Sequence, residues 1–131
     1  MKKIFVTGGA GFIGSHLVKR LVEDGNEVTV MDIMLRGNKL EKEILESIQL
    51  VNEDVRNRDA VIKYTKGCDL IYHFAAVLGV DVVADNPVET METEIMGMKN
   101  IADAAFANKI DKIMYASTSG VYGHSAIERS V

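Results

Sequence analysis

Ile4-Phe5-Val6-Thr7-Gly8-Gly9-Ala10-Gly11-Phe12-Ile13-Gly14 passes from an apolar run into a cluster of four glycines and out into a second apolar segment. The run reads as a buried strand, and the glycines end it. Thr7 to Gly14 satisfies both Gly-x-Gly-x-x-Gly and Gly-x-x-Gly-x-x-Gly, directly after a strand and at the opening of a helix. In that context each glycine has a physical reason. Gly8 and Gly9 permit a tight turn, Gly11 lets backbone approach a diphosphate without a Cβ clash, and Gly14 allows the helix to pack closely on the sheet. The helix then offers free N–H groups and a partial positive charge, through Phe12, Ile13 and Gly14, to the phosphates. Phe12, Ile13, Leu17, Val18, Leu21 and Val22 recur at helical spacing, and Gly25 stands where a left-handed cap belongs.

Outward from this unit, strands and helices alternate. Glu27 to Asp32 predicts a second strand, Leu40 to Ser47 a weak helix, Ile48 to Val51 a third strand and Asn57 to Lys66 another helix. Asp69 to Ala76 is a nearly continuous apolar run, as expected of a central parallel strand. Pro87 suits the first turn of a long helix whose Val88, Met91, Ile95, Met98, Ile101, Ala102, Ala105 and Phe106 fall mostly on one face, and Lys112 to Ala116 predicts a fifth strand. Parallel returns need right-handed crossovers, so the chain predicts an α/β, Rossmann-type, doubly wound sheet of order 3-2-1-4-5. A ligand crevice is expected between the first and fourth strands, where the order reverses. Residues 1–131 read as one dinucleotide-binding domain, without linker or repeat.

Asp32 ends the second strand about 20 residues beyond the loop, where a carboxylate can accept from the ribose hydroxyls of an adenosine and would repel a 2′-phosphate. The expected cofactor is therefore NAD rather than NADP. The alternative is that Asp32 only caps the turn, and Arg36 is the residue that could still admit NADP.

Apolar residues make up 47% and charged residues 26%, close to ordinary globular usage, and a chain of this size can bury roughly two-thirds of its unfolded surface. A net charge of −4 without a basic stripe argues against nucleic-acid or anionic-membrane partners and for small molecules. The lone Cys68 cannot form an internal disulfide, and the opening residues lack a signal-peptide core, so a cytoplasmic setting is expected. Cys68 opens a buried strand and reads as a small hydrophobe. His16, His73 and His124 lack ligand spacing, which argues against a metal site and leaves His73 as a core or cofactor-lining residue.

Thr7 to Gly14, Asp32, Asp54-Val55, His73-Phe74-Ala75-Ala76 and Ser117-Thr118-Ser119-Gly120-Val121-Tyr122-Gly123 follow in order. With them the sequence resembles the extended short-chain dehydrogenase/reductases, and more narrowly the NAD-dependent epimerase/dehydratase family that includes UDP-glucose 4-epimerase. The resemblance implies that Asp54 and Val55 flank the adenine, that Ala75 and Ala76 lie along the cofactor, and that Thr118 is the catalytic hydroxyl, with Ser117 and Ser119 as weaker candidates. It also implies a nucleotide-sugar substrate, and a homodimer or other self-association through residues 87–108. In the family a tyrosinate from Tyr-x-x-x-Lys takes the substrate proton while nicotinamide accepts hydride. No such pair occurs here: Tyr64, Tyr72, Tyr115 and Tyr122 are followed four positions later by Cys68, Ala76, Ser119 and Ala126.

The family pattern Asn-Val-x-Gly-Thr-x-Asn stands here as Glu94-Ile95-Met96-Gly97-Met98-Lys99-Asn100, so Glu94 and Met98 depart from it. Three readings follow from these residues. The chain is the NAD-binding portion of a nucleotide-sugar epimerase or dehydratase lacking the C-terminal part of the fold and not competent alone; or it is a stand-alone binding or sensing module; or its pocket is vestigial. A fifth strand without its usual neighbour would leave a parallel edge open to self-association.

Overall fold

The computed structural model describes residues 1–77 and 80–123. Five parallel strands, β1 (Lys3–Thr7), β2 (Glu27–Met31), β3 (Gln49–Val51), β4 (Leu70–His73) and β5 (Ile113–Tyr115), form one sheet in the order β3-β2-β1-β4-β5. The Rossmann-type topology expected from the alternation is the one found.

Strand side chains point alternately to opposite faces, and the two cores follow that period of two. Ile4, Val6, Val28 and Val30 meet Val18 and Leu21 of α1 (Phe12–Glu23) and Ile44 of α2 (Lys42–Leu45) on one face. Phe5, Met31, Val51 and Ile71 meet Ala60 and Val61 of α3 (Arg58–Thr65) and Ile101, Ala104 and Ala105 of a later helix on the other. Both faces are therefore covered. Phe5, Val6, Met31 and Ile71 are fully buried, and each such side chain contributes roughly 1.5–3 kcal/mol relative to exposure.

Helix α1 ends as the sequence predicts: Gly25 takes φ +84°, the Asn26 amide donates to the Leu21 carbonyl, and the Gly25 amide donates to that of Val22. Asn57 caps α3, its side chain accepting from the Ala60 amide. Two expectations need correction. Phe12 and Ile13, counted among the helix's apolar stripe, are about 70% exposed, because at the first turn that stripe has run past the edge of the sheet. The strand expected to run from Asp69 to Ala76 stops at His73.

A buried hydroxyl explains the stop. Thr7 Oγ1 accepts from the amides of Phe74 at 3.1 Å and Ala75 at 3.0 Å, which turns the chain out of the sheet. With both acceptor positions filled, the hydroxyl proton goes to His73 Nδ1, 2.7 Å away. The imidazole is thereby neutral, with its proton on Nε2, and its ring stacks on Tyr115 with centroids 5.8 Å apart. Burial pushes its pKa down from 6.5 to about 4.

The long helix beginning at Pro87 is built in three parts. Pro87 opens α5 (Pro87–Met91), a π-helical turn spans Glu92–Met96, and α6 (Gly97–Ala107) completes it, preceded by the short α4 (Val80–Asp85). Its inward face is Gly97, Asn100, Ile101, Ala104 and Ala105. The expected apolar stripe divides: Ile101 and Ala105 enter the core, whereas Val88, Met91, Ile95 and Phe106 are exposed on the other side. More apolar residues sit on this helix than one sheet face can cover.

Because His73 is neutral in the fold and takes up a proton near pH 6.5 when unfolded, its contribution to stability is full above that pH and is lost as pH falls towards 4. The loss amounts to roughly 3 kcal/mol over the whole window. His73→Asn, which keeps an acceptor for Thr7, is expected to remove roughly 2 kcal/mol of the destabilisation that urea titrations record between pH 7 and pH 4.5. An unchanged pH dependence would contradict the buried neutral imidazole.

Candidate functional site

Parallel register aligns the strand ends. Thr7 pairs with Met31 on one side and His73 on the other, Met31 pairs with Val51, and His73 pairs with Tyr115. The residues that follow this row, namely the glycine loop, Asp32, the segment to Asp54, Phe74 to Ala76 and Ala116 to Thr118, therefore emerge at one edge of the sheet. That edge is where open α/β sheets bind ligands.

The glycine loop is held from every side. Gly8 takes φ +69°, and a Cβ there would stand 2.7 Å from the Phe74 carbonyl carbon and 2.8 Å from the Ala75 nitrogen. A Cβ on Gly14 would overlap the Gly8 carbonyl oxygen, so the close packing this glycine allows is against the loop itself rather than against the strands. Gly9 meets Val30, with 2.7 Å from its built Cβ to a methyl group. Gly11 differs, since its Cβ would have only the Gly8 oxygen, 3.3 Å away, for a neighbour. Of the four loop glycines it is the one whose Cβ would meet the fewest atoms.

Gly11 also caps α1 without a side-chain partner, and the first turn carries no acidic residue. The amides of Phe12, Ile13 and Gly14 lie in that turn, where helical geometry supplies no acceptor. An anion of the right shape would meet three converging donors and an unneutralised helix terminus.

Asp32 caps a turn and braces the glycine loop. Its Oδ1 accepts from the Met34 amide at 2.7 Å and so closes a turn in which Met34 takes φ +54°; its Oδ2 accepts from the Ala10 amide at 3.0 Å. The turn cap foreseen as an alternative is present, and it is joined to a brace on the glycine loop. The Ala10 carbonyl is held in turn by the Lys39 amide. Each carboxylate oxygen keeps a second acceptor position for a ligand hydroxyl.

Asp54 and Val55 form the next wall. Arg56 forks onto Asp54, with Nη2 2.7 Å and Nε 3.0 Å from Oδ2, and this guanidinium holds the carboxyl below the usual carboxylate range. The Val55 carbonyl accepts from Asn100 Nδ2 at 2.9 Å, and Gly97 lies so close that a Cβ would come 2.9 Å from a Val55 methyl. Gly97 and Asn100 are the two positions of their segment that keep the family pattern, and both serve to seat Val55. Neither Arg56 nor the Thr7 hydroxyl was singled out by sequence reasoning. A threonine closing an otherwise apolar strand was the available signal for the second.

Ala75, whose amide is held by the Thr7 hydroxyl, is partly buried against the core, and Ala76 after it is exposed. Thr118 follows β5 in extended conformation, and its Oγ1 accepts from the Gly120 amide at 3.1 Å, opening a 3-10 turn over Ser119–Tyr122. Ser117 is exposed beside it. The side chain of Ser119 and all of His124 lie outside what the structure describes. Among the described residues no three His, Cys, Asp or Glu side chains gather to hold a metal ion, and no helix is long and apolar enough to cross a membrane.

Comparison with known proteins agrees with this geometry. Residues 4–130 match the NAD dependent epimerase/dehydratase family. A UDP-N-acetyl-alpha-D-glucosaminuronate decarboxylase of Bacillus cytotoxicus is 37% identical over 123 residues, which are 93% of this chain and 38% of that protein. A putative UDP-glucose 4-epimerase of Methanocaldococcus jannaschii is 39% identical over 92% of this chain and 39% of its own length. Among solved structures, a UDP-N-acetylglucosamine 4-epimerase from Methanobrevibacter ruminantium, in complex with UDP-N-acetylmuramic acid, superposes with a TM-score of 0.84 at 34% identity, covering 93% of this chain and 39% of that one. A Thermus thermophilus UDP-glucose 4-epimerase in complex with NAD gives 0.79 at 32% identity over 88% and 37%. The chain thus spans less than two-fifths of the length of these relatives. On its motifs, its topology and this match over nearly its whole length, the chain belongs to the NAD-dependent epimerase/dehydratase family.

Proposed function

We propose that residues 1–131 are the NAD-binding portion of a nucleotide-sugar epimerase, dehydratase or decarboxylase. The observation that carries this reading is the glycine loop braced by Asp32 and leading into the first turn of α1, which has neither a side-chain cap nor an acidic residue. The residues present fit a dinucleotide. Gly8, Gly11, Phe12, Ile13 and Gly14 would hold its diphosphate, Asp32 its ribose hydroxyls, Asp54 and Val55 its adenine, and Ala75 and Ala76 its flank. The carboxylate of Asp32, already drawn to the loop, would repel a 2′-phosphate and so favours NAD over NADP.

When bound, the nicotinamide supplies a hydride acceptor and donor for the sugar carbon. Thr118 is the hydroxyl placed to hold the substrate oxygen, and its acceptor lone pairs are already oriented by the Gly120 amide. No Tyr-x-x-x-Lys pair occurs in these residues, which we read as the binding part of the site.

Self-association completes the reading. Val88, Met91, Ile95 and Phe106, between Pro87 and Ala107, are exposed, Phe106 91% so, and Met114 and Tyr115 of β5 are about half exposed. Apolar side chains exposed in such number suit an interface, and a second copy of the same segment is the partner this reading gives them.

Two measurements test these readings. NAD at a hundred times its Kd should stabilise the chain by about 2.7 kcal/mol, seen as a rise in melting temperature. NADP should do much less. Gly11→Ala, whose Cβ would stand 3.3 Å from the Gly8 carbonyl oxygen, should lose most of that rise, and a folded variant that still responds fully to NAD would count against the diphosphate placement. In sedimentation velocity the parent chain should run as a dimer and Ile95→Glu as a monomer; a monomeric parent would remove the interface.

A further inference from the structure

The sheet face beneath α3 is apolar at one end and polar at the other. Strand alternation puts Lys3, Glu27, Thr29 and Gln49 on the same face as Phe5, Met31 and Val51, which belong to the core under α3 and α6. These four stand at or near the strand starts, where parallel register sets Lys3 beside Glu27 and Thr29 beside Gln49. They line a groove of about 290 Å3, with Lys63, Tyr64 and Lys66 lining it from the last turn of α3 and the residue after it.

The charge of this groove runs against that of the chain. The whole molecule carries −4, yet the groove holds three ammonium groups and one carboxylate, Glu27, which lies 3.8 Å from Lys3 Nζ. Asp69, the next acidic neighbour, accepts from the Lys3 amide at 2.8 Å. Lys63 Nζ stands 5.0 Å from the centroid of the Tyr64 ring, and among the described residues neither Lys63 nor Lys66 forms an ion pair. The Thr29 hydroxyl donates to Gln49 Oε1 at 3.3 Å, so the Gln49 amide nitrogen keeps its two N–H donors, without a protein partner among the described residues. A cleft lined mostly by one sign of charge concentrates the field within it, here in favour of an anion.

We propose that this groove, at the edge of the sheet opposite the cofactor crevice, is a binding site for a phosphate monoester. A phosphate dianion brings three acceptor oxygens to the lysines and the Gln49 amide, whereas a lone carboxylate would leave cations unmet. Tyr64 offers a ring for the organic part. The volume lies at the lower end of ligand pockets, which suits a small monoester and not a dinucleotide. Lys3 and Thr7 are separated by four strand rises, about 13 Å, so the two edges can be occupied together. The inference stands apart from the dinucleotide reading.

The probes are inorganic phosphate and phenyl phosphate, titrated into the chain at constant ionic strength, with and without NAD, and followed by amide NMR. Both should give saturable shifts at Lys3, Thr29, Gln49 and Lys63 to Cys68 and at the Gln49 side-chain amide, with phenyl phosphate the tighter through Tyr64. Saturating NAD should leave those shifts unchanged. Lys63→Gln combined with Lys66→Gln should weaken phenyl phosphate about fivefold or more, the worth of one to two exposed charge contacts, with the response to NAD preserved. Lys66→Gln alone supplies the comparison if the double variant does not fold. Shifts confined to Gly8 to Gly14 and removed by NAD would place phosphate at the glycine loop and overturn the proposal. Shifts that never saturate would mean an adventitious ion only and overturn it equally, as would a double variant that binds phenyl phosphate like its parent. Because the groove is also read without NAD, failure of the cofactor reading leaves this test intact.

Discussion

A side chain at Gly14 would collide with the Gly8 carbonyl oxygen, and one at Gly8 would collide with the backbone at Phe74 and Ala75. The first turn of α1, the loop that leads into it and the end of β4 are therefore in backbone contact. This three-way closeness orients everything at the carboxyl edge of the sheet. It leaves the amides of Phe12, Ile13 and Gly14 pointing outward, because the space behind them is filled by the loop they grew from. The hydrogen bonds around it act as locks on a shape set by sterics: Asp32 and Lys39 hold Ala10 by its two backbone groups, and Thr7 fastens Phe74 and Ala75.

Local chemistry made some of this legible from residues alone. The glycine spacing, the apolar run before it and the cap at Gly25 are each found in the structure, although Gly8 and Gly9 meet partners far along the chain, at Phe74 and Val30. Strand order was also readable, since alternating elements and right-handed crossovers leave few arrangements. What escaped was chemistry between distant segments. Thr7 and His73 are 66 positions apart, and nothing in either neighbourhood announces that their side chains share a proton. The early end of β4 follows from the same hydroxyl, which accepts from the Phe74 and Ala75 amides, so a continuous apolar run overstated the strand.

The helix after Pro87 shows a different limit. Its periodicity placed one apolar stripe along the whole segment, and the structure divides that stripe, with a π turn at Glu92–Met96 between the parts. Gly97, Asn100, Ile101 and Ala104 face inward because Val55 and α3 accept them there, and Val88, Met91 and Ile95 are left outside. Asp32 shows the turn cap that was one of its two readings, and adds a brace on the glycine loop that neither reading foresaw. Arg56 belongs with the unforeseen residues, as its meaning depends on Asp54 beside it and on two glutamates more than thirty positions away.

The most direct measurement is an amide NMR titration of this chain with NAD. If the loop and the first turn of α1 grip a diphosphate, the largest shifts should fall on Gly8, Gly11, Phe12, Ile13 and Gly14, with a second group at Asp32 and Met34. Saturating NAD that leaves those amides unmoved, or moves only residues at the opposite edge of the sheet, would contradict the placement of the cofactor.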